Sequence, residues 1–480
     1  MNNFKEARRL FSPALGMAVL LTAATAPGQV LEVLHQFSAL ESYTNSDGAM
    51  PLGGLTQGWD GSFYGTANEG GTNGDGTIFK ITPQGAFVLV HTFGAFVAGK
   101  NPDGAYPQAA LTLGSDGDLY GVSAAGGTNG NYGTVFKITT NDTLLTLHTF
   151  NFEDGENPIA PLVLGSDGNF YGATVLGGTN DTGTLFEIST NGDFQTLHNF
   201  SFESNSAPEF YTNSDGARPY GLTQGADGNF YGTAEFDGTN GNGTVFQFTT
   251  NGAFHVLHTF SPQATNGQNS DGAAPLASLT QGLDGGFYGT TPNGGAYASG
   301  TIFRVTASGD FSTILSFNYF TNGGNPYCPL LLHNGVFFGT AGDFFEGPGT
   351  IFDVTTNGSL TLLYGFSAPY TNSDNIDGAY PETGLTLGRD GNLYGVTSSG
   401  GTNGSGVVFR LTFPTLAASN AGNLVILSWP TNQVGYSLET TTDLANPAWT
   451  PVTPAPVVVG SQFVVTNAPS GPLTFYRLIK

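Results

Sequence analysis

The stretch "DGAYPQAALTLGSDGDLYGVSAAGGTNGNYGTVFKIT", from Asp103 to Thr139, decides the fold because it recurs with small changes along the chain. A near copy, "DGAYPETGLTLGRDGNLYGVTSSGGTNGSGVVFRLT", runs from Asp377 to Thr412. The anchor "[FL]-Y-G" occurs at Tyr64, Tyr120, Tyr171, Tyr231, Tyr288 and Tyr394, with Phe338-Gly339 as a variant copy. A second anchor, "GT[IV]F" or a close relative, ends at Phe79, Phe136, Phe186, Phe246, Phe303, Phe352 and Phe409. Seven copies, spaced about 55 residues apart, indicate a repeat architecture.

Each copy contains four short strands, which we call a to d. Strand a is an apolar run such as "GLTQG" (Gly54 to Gly58), and strand b is "FYGT" or a relative. Asp-Gly, or Asn334-Gly335 in the variant copy, stands between them and is expected to supply the two positive-φ positions of a tight hairpin. Strand c is typified by "TIFKIT" (Thr77 to Thr82) and strand d by "FHVLHTF" (Phe254 to Phe260). Their aromatic and β-branched residues favour pleated, buried strands.

The two ends of the array complement each other. A strand-d sequence, "VLEVLHQF" (Val30 to Phe37), precedes the first complete copy, and the last copy stops after strand c, "VVFRLT" (Val407 to Thr412). Pairing these ends would complete a seventh unit and remove an exposed edge. The sequence therefore predicts an all-β protein, a seven-bladed β-propeller closed by its N-terminal strand. An open stack of sheets or a β-solenoid is the alternative, although it needs no complementary ends.

The segments outside the array predict two further parts. Residues 1–28 have the basic start, short apolar run and small residues of an export signal, with cleavage expected within 24–28. We therefore expect the propeller to span residues 29–413. Residues 414–480 contain "NLVILSWP" and "YSLETTTDL", which predict a small antiparallel, Ig-like β-sandwich. Trp429 and Trp449 are its core candidates.

Composition excludes some classes of function. The chain has 36 acidic and 12 basic residues and a formal net charge of −24, so nucleic-acid binding is disfavoured. Cys328 is the only cysteine, so no intramolecular disulfide can form, and a buried thiol is favoured over a catalytic nucleophile. No second apolar segment follows the signal, so we expect a secreted or cell-surface protein without a transmembrane segment in the mature chain. We expect it to be a monomer.

The longer connections, d to a and b to c, are expected on one face, where a rigid scaffold usually carries its binding site. "YTNSDGARP" (Tyr211 to Pro219) is a d-to-a connection of this kind. These loops hold the candidate binding residues Asp47, Asp103, Asp154, Asp215, Asp271 and Asp377. Each aspartate can form an Asx-type turn with its glycine. A ring of carboxylates that binds Ca²⁺ or a sugar is the alternative, although no copy has the spacing of an EF-hand loop. No cofactor is otherwise predicted.

Histidine recurs at one position of strand d, in His35, His91, His148, His198 and His258, and the other copies have Leu315 and Tyr364 there. A position exchanged for leucine and tyrosine within one chain indicates a packing residue. His255 and His333 stand outside this pattern and have no acidic or nucleophilic companion nearby in the sequence. The chain contains no "GxSxG", "HExxH" or paired-cysteine motif, and we predict no catalytic residue and no metal ligand.

The two quoted copies resemble the GloVer-type tandem repeat of exported bacterial proteins, in which repeat arrays precede C-terminal sorting or anchoring modules. The resemblance covers about residues 30–412, where "DGxLYG" and "GTVFK" recur in order, and it is weakest from Asn322 to Thr355, where "HNGVFFG" replaces the usual turn. It implies an exported location and carries no catalytic residues.

These observations favour an exported, non-catalytic binding protein. Its loop face would engage a polysaccharide, an envelope component or a surface protein. "DGNLYG" also resembles the turn of streptogramin-lyase-like propellers, so the alternative is an extracellular lyase or hydrolase with residues drawn from several blades.

Overall fold

The computed structural model describes the backbone of residues 21–23 and, in full or in part, residues 29–202, 204–207, 210–249, 251–342, 347–367, 375–413, 416–422, 424–430, 437–443, 448–468 and 474–479. The predicted export signal, residues 1–28, lies outside the described residues apart from the backbone of 21–23. Two compact units divide the chain. One is Leu31–Leu411, and the other combines Met1–Val30 with Thr412–Lys480.

The larger unit is all-β, and its described residues form seven four-stranded antiparallel sheets, numbered here 1 to 7. Sheet 1 comprises Thr56–Gln57, Phe63–Ala67, Thr77–Ile81 and Phe87–Thr92. Sheet 2 comprises Thr112–Leu113, Leu119–Ser123, Thr134–Ile138 and Leu144–Thr149. Sheet 3 comprises Val163–Leu164, Phe170–Thr174, Thr184–Ile188 and Phe194–Asn199. Sheet 4 comprises Ala217–Gln224, Phe230–Phe236, Thr244–Phe248 and Phe254–Thr259. Sheet 5 comprises Thr280–Gln281, Phe287–Thr291, Thr301–Val305 and Phe311–Ser316. Sheet 6 comprises Leu331–His333, Val336–Ala341, Thr350–Val354 and Leu360–Gly365. Strands a to d follow one another across each sheet, as predicted.

Sheet 7 is built from both ends of the array. Its strands are Thr386–Leu387, Leu393–Thr397 and Val407–Thr412, with Val30–Gln36 as the outer strand d. Side chains reinforce the pairing, since Thr402 N–H donates to Gln36 Oε1 at 2.9 Å and Asn403 Nδ2 donates to the Phe37 carbonyl at 3.0 Å. The pairing predicted between the first strand and the last three is therefore present.

The repeated "YG" and "F" anchors pack against each other. The second strand places Gly65 directly opposite Phe79 of the third strand, and a Cβ on Gly65 would lie 2.5 Å from the Phe79 ring. The same clash would occur at Gly172, 2.4 Å from Phe186, so only glycine leaves room for the aromatic ring. The preceding tyrosine reaches the next sheet, and Tyr231 stacks on Phe287 with ring centroids 3.8 Å apart. Each repeated motif therefore fills one inter-sheet core.

The a-to-b turns differ from the prediction. In the turn of sheet 1, Gly61 has φ +83° but Asp60 is not among the positive-φ residues, so this Asp-Gly pair supplies only one left-handed position. Asp60 instead accepts hydrogen bonds from the Ser62 N–H and the Tyr64 hydroxyl, and these fix the turn. Only the variant pair, Asn334-Gly335, has both residues in the left-handed region, with φ 51° and 80°. The two-residue hairpin prediction is thus right for that copy and wrong for the Asp-Gly copies.

Smaller elements decorate the loops. Asn101–Ala105 pairs with Ala125–Gly127, Asn375–Ala379 with Ser399–Gly401, and Ser204–Ala207 with Phe210–Thr212. A four-residue helix, Tyr319–Asn322, stands in the connection between sheets 5 and 6. No helix in the described part of the chain is long and apolar enough to cross a membrane.

The smaller unit contains two four-stranded sheets. One has the order Ala417–Ala421, Leu424–Pro430, Gln462–Asn467 and Val457–Val459, and the other Leu21–Ala23, Phe475–Ile479, Ser437–Thr441 and Thr450–Pro451. Trp429 is 1% exposed and joins a core cluster with Leu427 and Tyr476. Trp449 lies outside this cluster and is half-buried, with the Arg477 guanidinium 4.3 Å from its ring. Of the two predicted core tryptophans, therefore, only Trp429 belongs to the core.

Candidate functional site

The six predicted binding aspartates each contact a side chain of the preceding strand d. The pairs are His35–Asp47 at 3.1 Å, His91–Asp103 at 3.0 Å, His148–Asp154 at 3.2 Å, His198–Asp215 at 3.2 Å, His258–Asp271 at 3.0 Å and Tyr364–Asp377 at 2.8 Å. We call these pairs the clasps, because each ties a loop to the strand before it. The structure does not gather the six carboxylates into one site.

The Asp271 clasp shows how the carboxylate is used. His258 Nε2 lies 3.0 Å from Asp271 Oδ2, and the Ser261 N–H and hydroxyl donate to the same oxygen at 3.0 and 2.9 Å. Burial alone would raise the pKa of Asp271, but these hydrogen bonds outweigh it and its pKa lies below the ordinary value. The pKa values of Asp47 and Asp103 are lowered by the same balance. The aspartates are thus engaged by donors of their own segment.

Four of the five clasp histidines, His35, His148, His198 and His258, also stack on the next sheet. His148 lies 3.8 Å from Phe194, measured between ring centroids, and His258 lies 3.6 Å from Phe311. The predicted packing role of these histidines therefore accounts for their ring stacking but not for their contacts with aspartate. Their hydrogen bonds to aspartate were not foreseen, because the partners are 6 to 17 residues apart across loops of differing length.

The remaining candidate reactive groups stand apart. His333 Nε2 contacts Asn334 Nδ2 at 2.8 Å, and burial lowers the pKa of this histidine. The Cys328 thiol is 2% exposed and contacts the Thr340 hydroxyl at 2.7 Å. Burial raises the pKa of Cys328, which disfavours the reactive thiolate. Among the residues with described positions, no group of three or more His, Cys, Asp or Glu side chains could hold a metal ion.

A cavity of about 450 Å³ lies where the seven first strands begin. Every sheet contributes the half-buried residue that immediately follows the proline of its d-to-a loop. These seven cavity residues are Leu52, Gln108, Ile159, Tyr220, Leu276, Tyr327 and Glu382. Each follows a buried proline and precedes a buried small residue, so alternation along the strand turns the cavity residues inward. The site is concave, mostly apolar and of a size typical for small-molecule binding.

Strained backbone frames the cavity. The residue before each proline has a left-handed conformation, with φ between 51° and 58°, at Met50, Tyr106, Asn157, Arg218, Ala274, Asn325 and Tyr380. Non-glycine residues rarely adopt this conformation, and such strain persists only where surrounding contacts enforce it. Here the N–H of each residue donates to a carbonyl of the preceding sheet's b-to-c loop, as from Tyr106 to Asp75 at 2.9 Å.

A bond of the same type joins sheet 1 to sheet 7. Met50 N–H, in the loop that enters sheet 1, donates to the Ser405 carbonyl of sheet 7 at 3.1 Å. Across all seven boundaries these N–H to carbonyl distances range from 2.7 to 3.1 Å. A hydrogen bond of this kind therefore joins every d-to-a loop to the preceding sheet, and these bonds fix the backbone beside each cavity residue.

The polar groups of the cavity are few and unlike each other. Burial raises the pKa of the Glu382 carboxyl, although a hydrogen bond with Ser398 partly offsets this effect. Burial also raises the pKa of Tyr220, and the nearby Glu235 carboxylate raises it further. The Thr383 hydroxyl, on the cavity wall beside Glu382, is 5% exposed and has no hydrogen-bond partner within the described structure.

Sequence reasoning missed the cavity residues. The signal was nonetheless present, because the residue after the recurring proline is Leu, Gln, Ile, Tyr, Leu, Tyr and Glu in the seven loops, and a small residue follows it each time.

The family model for the Gloeobacter/Verrucomicrobia repeat matches residues 24–211 and 218–424. The chain belongs to this repeat family. The two matched segments together cover all seven sheets, so the repeat identity read from "DGxLYG" and "GTVFK" is confirmed. No curated protein is similar enough to match the chain.

Several solved structures are distantly similar. Two are extracellular domains of proteins described as hybrid two component systems of B. thetaiotaomicron. The first has 11% identity and a TM-score of 0.47 over 95% of this chain and 58% of its own, and the second has 9% and 0.48 over 95% and 60%. A gluconolactonase of Xanthomonas campestris has 11% identity and a TM-score of 0.38, over 80% of this chain and 90% of its own. This chain spans about three fifths of the two extracellular domains, and no function follows from these similarities.

Proposed function

We propose that this chain is an exported, non-catalytic binding protein whose ligand sits in the cavity at the d-to-a end of the sheets. The observation that carries the proposal is the cavity itself, which is lined after the proline of each of the seven loops by a residue that varies among Leu, Gln, Ile, Tyr and Glu. A rigid frame with variable inward side chains suits binding, because little conformational freedom is lost when the ligand enters. A small molecule, or the end of an extracellular polysaccharide or envelope component, fits about 450 Å³.

The finer architecture belongs to the same proposal. We take the seven sheets as the blades of a closed seven-bladed β-propeller, supported by the Met50–Ser405 bond between sheets 1 and 7. We propose residues 29–413 as the propeller domain and residues 414–480 as a small β-sandwich module. Export through residues 1–28 and a monomeric state stay predictions.

Direct ligand contact by the six aspartates also stays a prediction. Their carboxylates already accept several donors of their own loops, as Asp271 does from His258 and Ser261. We propose that the clasps hold the loops and that the cavity residues make the first contacts with a ligand. Ca²⁺ binding at the aspartates is tested by calorimetry, in which heat at micromolar Ca²⁺ that vanishes with Asp271→Asn would support it.

The enzyme alternative has a narrower basis. A lyase or hydrolase commonly pairs an acid with a base, and Glu382 is the only carboxyl among the described residues that line the cavity. No histidine lines it in that same set. Product release that depends on Glu382, measured by mass spectrometry with candidate polymers and lactones, would establish the enzyme and displace the binding proposal.

The binding proposal is tested by screening. A library of extracellular saccharides and small molecules is scored by thermal shift, and hits are measured by calorimetry on the wild type, Tyr327→Ala and Leu283→Ser. Leu283 is 85% exposed in the a-to-b turn of sheet 5, at the other end of the strands, so it provides the matched control. We expect hits to lose about tenfold or more in affinity with Tyr327→Ala, as for a buried aromatic contact, and to be unchanged with Leu283→Ser. Hits that ignore Tyr327 would locate binding elsewhere and overturn the proposal.

A further inference from the structure

The cavity of the proposed binding function has an uneven charge. Of its described lining residues, none is lysine, arginine or histidine, whereas Glu382 contributes a carboxyl. Its named partner is the Ser398 hydroxyl, which is neutral. A carboxylate in an apolar cavity without a cationic partner is costly, and a cation that enters the cavity removes that cost.

The Tyr327 side chain lies near the stem of the Glu382 side chain. A Cβ on Gly342 would lie 3.8 Å from both Glu382 Cγ and Tyr327 Cδ2, so the two side chains flank the same glycine. The electron-rich face of a tyrosine ring attracts ammonium and guanidinium groups, and it does so more strongly in a desolvated site. Carboxylate and ring together favour a positively charged group.

The carboxylate can accept more than one hydrogen bond. An ammonium group has three N–H donors, and the two oxygens of a carboxylate can accept two of them. The rest of the cavity, with Leu52, Ile159 and Leu276, is apolar and suits a hydrocarbon body.

A second carboxyl near the cavity, that of Glu235, has a cationic neighbour. Burial raises the pKa of Glu235 to about 7, while the nearby Arg218 guanidinium acts in the opposite direction. Arg218 itself lies over the Phe236 ring at 4.9 Å, away from the cavity-lining set. Glu235 is therefore a matched control for Glu382, as a partly buried carboxyl near Tyr220 that does not line the cavity.

Resting on the proposed binding function, we propose that the cavity selects an organic cation, an ammonium or guanidinium group on an apolar body, and that Glu382 and Tyr327 hold the charged end. The chain's formal net charge of −24 helps to draw such a ligand from solution. Anions are disfavoured by the same carboxylate.

The test compares phenethylammonium with 2-phenylethanol, a neutral molecule of nearly the same shape, by isothermal titration calorimetry at pH 7.5. We expect the wild type to bind the ammonium compound about tenfold or more tightly than the alcohol, as charge-assisted hydrogen bonds are stronger than neutral ones. Equal or weaker binding of the ammonium compound overturns the inference, and this comparison needs no variant.

Variants then locate the charge. With Glu382→Gln we expect the preference for the ammonium compound to fall to within about twofold, while Glu235→Gln retains it, because only Glu382 faces the cavity. A preference that survives Glu382→Gln in a protein with a wild-type melting curve overturns the assignment. If a neutral saccharide binds in a Tyr327-dependent way and the ammonium compound does not, the charge inference fails while the binding function stands. If no screened compound binds in a Tyr327-dependent way, both fail.

Discussion

The clasps and the cavity residues both belong to the d-to-a loops, yet they differ in what recurs. In the described part of the chain, six of the seven loops carry a clasp; five clasps use histidine with aspartate and the sixth uses Tyr364 with Asp377, so the interaction persists when one partner changes. The cavity residues, only a few positions further on, occur in all seven loops and vary among Leu, Gln, Ile, Tyr and Glu. The repeated pairs fix the loops, whereas the varied residues are those that we propose contact a ligand.

The largest expected effect comes from breaking a clasp at its carboxylate. Asp271→Ala leaves the His258 imidazole and the Ser261 N–H without their acceptor in a buried loop. We expect the free energy of unfolding to fall by about 3 kcal/mol, measured by urea denaturation. Asp310→Ala, at an exposed c-to-d turn, is the control and should cost less than about 1 kcal/mol. Equal losses for the two variants would remove the structural role of the clasp.

A smaller effect is expected at the other partner of the same clasp. His258→Leu removes the hydrogen bond to Asp271 but keeps an apolar contact with Phe311, and should cost about 2 kcal/mol. His258→Tyr reproduces the Tyr364–Asp377 pair and should cost less than half as much. Melting temperatures of the two variants check this order, and a tyrosine variant as unstable as the leucine variant contradicts it.

Acid should weaken the clasps as their aspartates become protonated. The folded-state pKa values of Asp47, Asp103 and Asp271 lie below the ordinary carboxyl value of 3.8. Their contribution to stability is therefore complete above that value and is lost as the pH falls through the lower folded-state pKa values. We expect the melting temperature to drop steeply below about pH 4, and the drop to be shallower in Asp271→Asn. Identical acid profiles for wild type and variant would exclude this clasp as the cause.

The smallest effect on stability is expected at the cavity. Leu276→Ala removes a half-buried side chain and should lower the free energy of unfolding by less than about 1 kcal/mol, whereas Leu279→Ala, three residues on and 2% exposed, should cost about 3 kcal/mol. Denaturant titration measures both. A large loss at Leu276 would make the cavity residues part of the core and erase the distinction from the clasps.

Much of the fold could be predicted because the repeat carries it. Gly65 and Phe79 recur as a register-fixed pair, and the matching ends identified the outer strand of sheet 7. The turn conformation was missed because Asp60 favours hydrogen bonds to Ser62 and Tyr64 over a left-handed backbone. Local propensity alone does not decide between these arrangements.

The site was harder to predict than the fold. Asp271 was selected because it recurs, and its contact with His258 was not foreseen. Glu382 and Tyr327 come together only when sheets 6 and 7 are neighbours, and no spacing in the sequence reveals that proximity. The variation of the residue after each proline was visible in the sequence. That its side chain faces the cavity is seen only from the burial of the residues on either side of it.

The pairing of the N-terminal strand with the last repeat also determines when sheet 7 can be completed. The Gln36–Thr402 bond joins residues 366 positions apart, so the outer strand of sheet 7 stays unpaired until the last repeat has been synthesised. Contacts so distant in sequence form late and slowly. Each of sheets 1 to 6 uses strands from one continuous stretch of the chain, so those sheets can form before sheet 7 does. Completion of sheet 7 is therefore expected to be the last step in the folding of the array.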